Sequence, residues 1–342
     1  MGEEKRVAYI GNADLDSISA KILVQHFGLP CDKHFIVEYD IFEHQEELDK
    51  LLEYDELMFV DFSPDENFAD QLLDHPEIHW KVFDHHESHK FLLDLPPSDQ
   101  YEIHIDMDEV GTSLFFREFI IPRFKDIKPI VYRFVELVKG YDGWQIDTPI
   151  WEEALSLNRL CYKQYNFNAS DAESSFDLFV YKQTRKLRIA DEWFWTKMEK
   201  ELIDQARQRE EDVLSESRKK LQIRKDSRGS MFGLFSAKSK ISLTCHALLR
   251  ENPELDYIIC INTWGGITGK LSFRSRDFNL HQLCFAAGHT VASGGQLEPD
   301  EAIRLLEGEY IAIQYREDVP EDVIGRQCFY GGKPNRKKVS NV

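Results

Sequence analysis

Acidic side chains follow three apolar, strand-like runs of this sequence. They are Asp14 and Asp16 after residues 7–10, Asp61 after residues 57–60, and Asp84 after residues 78–83. In open parallel α/β sheets, ligands bind outside the carboxyl ends of the strands, so acids from three strands can meet in one crevice. Two neighbouring divalent cations need clustered carboxylates, and together they activate water and stabilise the oxygens of a phosphate ester. The pattern therefore predicts metal-dependent hydrolysis of a phosphoester.

Two histidines, His85 and His86, directly follow Asp84. Imidazole beside carboxylates forms the mixed nitrogen and oxygen ligand set that suits manganese or iron. Taken singly, an acid after a strand is more often the N-cap of the next helix, and adjacent histidines are often ordinary surface residues. The joint pattern favours a functional site.

Together these residues resemble the DHH phosphoesterases, a family named after the Asp-His-His of its third motif. The four motifs occur in order as Asn12-x-Asp14-x-Asp16, Asp61, Asp84-His85-His86 and Asp142. Residues 269–276 and 287–294 resemble the family's second domain, DHHA1. The resemblance extends over most of the chain. It is nearer to the oligoribonucleases, including bacterial nanoRNases, than to the inorganic pyrophosphatases, which carry a different second domain.

The resemblance implies a centre of two Mn²⁺ ions, with Mg²⁺ or Co²⁺ as alternatives. The implied ligands are Asn12, Asp14 and Asp61 for one ion, and Asp16, Asp61, His85 and Asp142 for the other. Asp61 would bridge the two ions. His86 would act near a substrate oxygen, while Asp84 would orient the histidines from behind. The substrate-binding residues implied in the second lobe are Arg274, Gly288 and His289.

Two residues depart from the family pattern. Asn12 stands where the first motif usually has His, and it should bind a metal more weakly. Ser17 stands where nucleases usually have Gly, as it does in the pyrophosphatase branch.

Strand-like runs alternate with helical patterns up to about residue 145, which predicts an α/β fold with a doubly wound, mainly parallel sheet. Strands are predicted at 7–10, 35–39, 57–60, 79–83 and 102–105, and helices near 16–27, 67–73, 111–119 and 128–140. Gly111-Thr112-Ser113 could offer backbone N–H groups to a phosphate, or it could simply cap a helix.

Four regions are predicted along the chain. They are a DHH catalytic domain at 1–155, a helical connector at 156–226, a smaller α/β DHHA1 lobe at 227–330 and a basic disordered tail at 331–342. The active site is expected in the cleft between the two lobes. In the connector, Trp193-Phe194-Trp195 with Met198, Leu202 and Ile203 predicts one apolar helix face that packs in a core.

The composition restricts the partners. A net charge of −19 argues against binding along an extended nucleic-acid backbone, which normally requires a basic surface. The expected partners are short RNA or DNA oligonucleotides or small nucleotides, with no long duplex and no membrane. Six dispersed cysteines favour free thiols, and the expected location is the cytoplasm. Homodimerisation is left open.

The function expected from these features is hydrolysis of short oligonucleotides (nanoRNA) to mononucleotides. Alternatives with the same chemistry are a phosphatase of 3′-phosphoadenosine 5′-phosphate and a phosphodiesterase of linear or cyclic dinucleotides. From other classes, Asn12 motivates a metal-poor nucleotide-binding protein, and the charged region 170–226 motivates an interaction scaffold. Turnover with added Mn²⁺ separates these classes.

Overall fold

The structure is a computed structural model that describes residues 5–307 except 167, 227, 264–265, 268, 281–282, 284–286 and 290–291. For residues 39–40, 287–289 and 296 it describes the backbone only. The predicted basic tail at 331–342 lies outside the described residues. The chain divides into two compact units, one ending at Ala206 and the other beginning at Arg207.

Unit 1 contains a five-stranded parallel sheet, which confirms the predicted α/β class. Its strands are β1 Val7–Gly11, β2 Lys33–Ile36, β3 Glu56–Val60, β4 His79–Asp84 and β5 Tyr101–Ile105. Their order is β2-β1-β3-β4-β5, so the winding direction reverses between β1 and β3. At such a reversal the chain segments that leave the two strands diverge and open a crevice at their carboxyl ends. The acids after β1 and β3 lie at this point.

Helices cover both faces of this sheet. They are α1 Leu15–Phe27, α2 Gln45–Leu51, α3 Glu66–Leu73, α4 Gly111–Leu114 continued by a π-helical segment Phe115–Ile120, α5 Pro129–Asp142, α6 Trp151–Lys163, α7 Ala172–Ser175 and α8 Asp177–Ile189. Alternate strand residues belong to separate cores: Tyr9 and Met58 pack beneath α1 and α5, and Ile10 and Phe59 pack beneath α2 and α3. Both faces of the sheet are therefore buried, as expected for a parallel sheet with helices on each side.

Two element predictions need correction. The strand expected at 35–39 ends at Ile36, because the chain then enters a 3₁₀ turn, Tyr39–Glu43. The residues Trp193-Phe194-Trp195 are not helical, since the next helix, α9, spans Lys197–Lys220. Thr196 and Glu199 form a reciprocal capping box that sets this start.

Unit 2 is built on a six-stranded mixed sheet. Its elements are β6 Gln222–Lys225, β7 Met231–Ala237, α10 Ile241–Glu251, β8 Tyr257–Asn262, β9 Lys270–Ser275, β10 Ala287–His289, β11 Ala292–Gln296 and α11 Pro299–Glu307. The strand order is β10-β11-β9-β8-β7-β6. Among the described helices of both units, none combines the length and the apolar character needed to span a bilayer.

A buried histidine in β2 predicts an acid-sensitive fold. His34 is 3% exposed and stacks on Tyr9, and neither of its ring nitrogens has a hydrogen-bond partner among the described residues. Burial, with Lys21 and Lys33 nearby, lowers the pKa of His34 to about 3. The unfolded chain binds a proton at this residue below about pH 6.5 and the folded chain does not, so stability falls by up to about 1.4 kcal/mol per pH unit on acidification.

We therefore expect His34→Phe, which keeps the stacked ring, to remove this part of the acid sensitivity and to stabilise the fold. Urea unfolding with a chelator present, at pH 7.5, 6 and 5, should show the stability advantage of the variant growing as the pH falls. An advantage that stays constant with pH would contradict the prediction.

Candidate active site

Asp61 lies at the centre of the crevice, directly after β3. Its backbone adopts the left-handed conformation with φ 57°, and its N–H donates to the carbonyl of Phe83 at 2.9 Å. A non-glycine residue in this region is uncommon and marks either a turn or a functional constraint. Helix α3 is capped by Asp65 and not by Asp61. The N-cap alternative is therefore excluded for Asp61.

Four side chains converge on this position. The ligand atoms of Asp16, Asp61, His85 and Asp142 all lie within 4.8 Å of one another. His85 Nε2 is 3.1 Å from Asp61 Oδ1 and 3.1 Å from Asp142 Oδ2. Asp142 is the last residue of α5, where the helix dipole disfavours an acid. These are the same four residues that the family resemblance assigns to one metal ion.

The charges of this cluster are poorly compensated within the protein. Burial and the charge of Asp142 raise the pKa of Asp16 to about 7, and burial with Asp14 and Asp16 raises the pKa of Asp61 well above its usual range. Burial alone would lower the pKa of His85, but Asp142 and Asp61 raise it to about 12. Three acids thus share one imidazolium. A divalent cation would relieve this repulsion and displace the protons.

A buried oxygen gives a second indication that the residues fit a metal. Asp16 is completely buried, and its Oδ1 accepts from the N–H of Thr112 at 2.8 Å. Its Oδ2 has no hydrogen-bond partner among the described residues. Buried carboxylate oxygens are normally paired or bound to a metal. Carboxylate oxygens with one imidazole form a donor set suited to Mn²⁺.

The Gly111-Thr112 segment positions these acids. The Thr112 hydroxyl donates to the carbonyl of Asp16 at 2.6 Å, so both its N–H and its hydroxyl are engaged by one residue. Gly111 packs directly on the backbone of Asp61. The predicted role of this segment in binding a phosphate through its N–H groups is therefore wrong for Thr112, because its N–H already donates to Asp16.

The first motif lies beside Asp61. Asp14 caps α1 by accepting from the N–H of Ser17 at 3.0 Å, and burial with the charge of Asp142 raises its pKa. The amide nitrogen of Asn12 lies 3.4 Å from the Asp61 carbonyl. The Ser17 hydroxyl lies 2.8 Å from the N–H of Asn12 and 3.3 Å from Asp61 Oδ2. Ser17 therefore links the two strand ends.

Asp84 lies behind the histidines and is fully buried. Its Oδ1 accepts from His86 Nδ1 at 2.7 Å, as expected for an orienting residue. Ser63 and His89 also contact it, and sequence reasoning identified neither. The only sequence signal for them was their residue type close to the second and third motifs.

The predicted substrate-binding residues belong to unit 2. Ala292 of β11 pairs with Arg274 on one side and with His289 on the other, so the two residues occupy one row of the sheet, with Gly288 next to it. The Arg274 guanidinium donates to the Ser242 hydroxyl and to the Phe273 carbonyl, both at 2.7 Å. The side chain of His289 is outside the described part of the structure.

Comparison with known proteins shows that the chain is similar in sequence to an oligoribonuclease. The chain is 25% identical over 270 residues to the oligoribonuclease NrnB of Bacillus subtilis, covering 76% of this chain. It spans 63% of the length of that relative. No protein-family model matches the chain.

Three solved structures share the fold. The DHH domain of a member of a ribosomal-protein family matches with a TM-score of 0.58 and 12% identity, covering 90% of this chain and 87% of that one. The chain therefore has the fold of the DHH proteins. A pGpG-specific phosphodiesterase, PggH from Vibrio cholerae, matches with a TM-score of 0.53 and 14% identity over 88% of this chain and 97% of that one. The exonuclease RecJ bound to manganese matches with a TM-score of 0.51 and 16% identity, covering 89% of each chain.

The similarity to DHH proteins is the one that the sequence motifs predicted. Identities of 12 to 16% establish the shared fold and no more.

Proposed function

We propose that the chain is a metal-dependent phosphodiesterase that hydrolyses short oligonucleotides to mononucleotides. The observation that carries this proposal is the convergence of Asp16, Asp61, His85 and Asp142 at the strand-order reversal of the sheet. The likeness to NrnB, an oligoribonuclease, and to RecJ, solved with manganese, supports it.

Each residue has a distinct part in the proposed mechanism. Asp16, Asp61, His85 and Asp142 would hold one Mn²⁺, and Asn12, Asp14 and Asp61 a second. When bound, such a pair supplies Lewis-acid activation of water and neutralises charge on the phosphate oxygens. Asp61 lies between the two ligand sets and would bridge them. His86, held by Asp84 through Nδ1, would contact a substrate oxygen.

The charge of the protein favours small substrates. Long nucleic acids are bound mainly through phosphate contacts with basic residues, whereas this chain carries a net charge of −19. A metal centre provides local positive charge for only one or two phosphates. Oligonucleotides of a few residues, including linear dinucleotides such as the pGpG of the Vibrio enzyme, fit this limit.

Product analysis tests the proposal. RNA and DNA oligomers of two to five nucleotides, labelled at the 5′ end, are incubated with the protein and Mn²⁺ or with a chelator. 3′-phosphoadenosine 5′-phosphate and cyclic dinucleotides serve as competing substrate classes. We expect Mn²⁺-dependent release of mononucleotides from the short oligomers. Binding of all the nucleotides without turnover would overturn the proposal in favour of a nucleotide-binding protein.

Asn12 offers a graded test of the first ligand set. We expect Asn12→His to tighten Mn²⁺ binding, because a neutral imidazole nitrogen is a stronger ligand than an amide oxygen. Titration with Mn²⁺, followed by the paramagnetic signal of the free ion, measures the dissociation constants. An unchanged dissociation constant would place Asn12 outside the ligand set.

Arg274 tests whether unit 2 binds substrate away from the scissile bond. We expect Arg274→Ala to reduce turnover of short oligonucleotides at least ten-fold, since a charge-assisted hydrogen bond to phosphate contributes about 1.5–3 kcal/mol. Hydrolysis of bis-p-nitrophenyl phosphate should change little, because a small substrate gains nothing from remote contacts. Ser242→Ala, which removes a partner of Arg274 within unit 2, is the control for a local structural effect. Equal losses on both substrates would contradict the assignment.

A further inference from the structure

Both oxygens of the buried Asp84 carboxylate are occupied by donors. Oδ1 accepts from the N–H of His85 at 2.7 Å, from the N–H of His86 at 3.3 Å and from His86 Nδ1 at 2.7 Å. Oδ2 accepts from the Ser63 hydroxyl and from His89 Nδ1, both at 2.5 Å. Asp84, His86 and His89 are close enough to hold a metal ion. With five hydrogen bonds on two oxygens, however, this carboxylate is satisfied by the protein alone.

The position of His89 shows how it reaches Asp84. His89 lies in the 3₁₀ segment Glu87–Asp94 that follows the motif, and its side chain is 8% exposed. Its backbone N–H donates to the carbonyl of His86 at 3.1 Å, which turns the chain back toward β4. The side chain then contacts the oxygen of Asp84 that the motif histidines do not use. Despite burial, His86 and His89 hold the pKa of Asp84 well below its usual range.

We propose that His89 is a positioning residue of the metal centre, which with Ser63 fixes Oδ2 of Asp84. Asp84 in turn holds the ring of His86 and the backbone N–H of the metal ligand His85. A carboxylate is planar, so fixing one oxygen determines where the other can accept. Without His89, Oδ2 would keep a single donor and the carboxylate could rotate away from His86. This inference rests on the proposed phosphodiesterase function for its kinetic consequences, but its effect on metal affinity can be measured separately.

The test compares two amide replacements. His89→Asn places an N–H donor close to the position of Nδ1, whereas His89→Gln extends it beyond that position. We expect His89→Ala and His89→Gln to weaken Mn²⁺ binding and to lower kcat by about ten-fold or more, the usual effect of losing a partner that orients a metal ligand. KM for a dinucleotide should change little, and His89→Asn should recover most of the affinity. His75→Asn, at a half-exposed histidine paired with Glu77, should match the wild type.

Ser63→Ala gives an independent variant that keeps His89. Ser63→Ala should weaken Mn²⁺ binding less than His89→Ala does. In the double variant the two losses should not add, because both donors serve the same oxygen of Asp84. In metal-free protein labelled with ¹⁵N-histidine, His86 should lose its hydrogen-bonded Nδ1 signature in His89→Ala.

Wild-type Mn²⁺ affinity in His89→Ala, or equal losses in the Asn and Gln variants, would overturn the positioning role. Should His89→Ala not fold, the Asn and Gln pair together with Ser63→Ala decides the question. A wild-type protein that binds Mn²⁺ but hydrolyses no nucleotide would refute the proposed function, while the ranking of affinities would still test His89. A wild-type protein that binds no Mn²⁺ would overturn both.

Discussion

Replacing Asp61 by Asn is expected to eliminate phosphodiester hydrolysis while leaving the protein folded. Asp61 contacts His85 at 3.1 Å and lies between both proposed ligand sets, so the change should exceed the roughly hundred-fold effect of losing an outer partner. Asn also adopts the left-handed conformation at φ 57° more readily than Ala, for which it costs about 1–2 kcal/mol. The substitution therefore removes the charge with little backbone strain.

The thermal stability of the same variant separates metal binding from folding. Because Asp14 and Asp16 contribute to the raised pKa of Asp61, removing its charge should leave the chelated protein as stable as the wild type or more stable. Added Mn²⁺ should raise the melting temperature of the wild type and not that of the variant. Asp106→Asn, at an acid that follows β5 at the same sheet edge, is the matched control. Substantial Mn²⁺-dependent activity in Asp61→Asn would refute the bridging role.

Replacing Gly111 by Ala should displace Asp61 and thereby weaken both metal binding and the stability of the fold. A Cβ at this position would lie 2.4 Å from the backbone nitrogen of Asp61 and 2.6 Å from its Cα. Backbone atoms cannot rotate away, so Asp61 would have to move, and a displacement of about 1 Å at a reacting centre can cost about a hundred-fold in rate. Intrinsic helix propensity would by itself favour Ala in α4 by up to about 1 kcal/mol. We expect the opposite effect: the free energy of unfolding should fall by about 1–3 kcal/mol, which is typical of overpacking.

Gly28→Ala provides the matched comparison for this prediction. Gly28 ends α1 in the left-handed conformation at φ 64°, and a Cβ there would meet nothing within 4 Å. Backbone strain should lower the free energy of unfolding of this variant by about 1 kcal/mol, while its affinity for Mn²⁺ should stay unchanged. If both alanine variants lose stability and neither loses metal affinity, Gly111 does not position Asp61.

The sequence was sufficient to predict the parallel sheet and the similarity to the DHH fold. Strand-like runs that each end in an acid carry both signals, because the carboxyl ends of parallel strands meet at one edge whatever the details of packing. The start of α9 is present in the sequence as the Thr196-x-x-Glu199 capping box, a signal that the prediction did not use. The mistaken helix at Trp193-Phe194-Trp195 came from apolar periodicity, which the capping box overrules.

Only the tertiary structure decided which polar groups become hydrogen-bond or ion-pair partners. Only long-range packing brings Asp142 at the end of α5 within 3.1 Å of His85, and no spacing in the sequence encodes that distance. Packing likewise uses the N–H of Thr112 for Asp16, which removes it as a phosphate donor. The roles of Ser63 and His89 follow from the burial of Asp84, since a buried carboxylate must be satisfied by whichever donors the fold places around it.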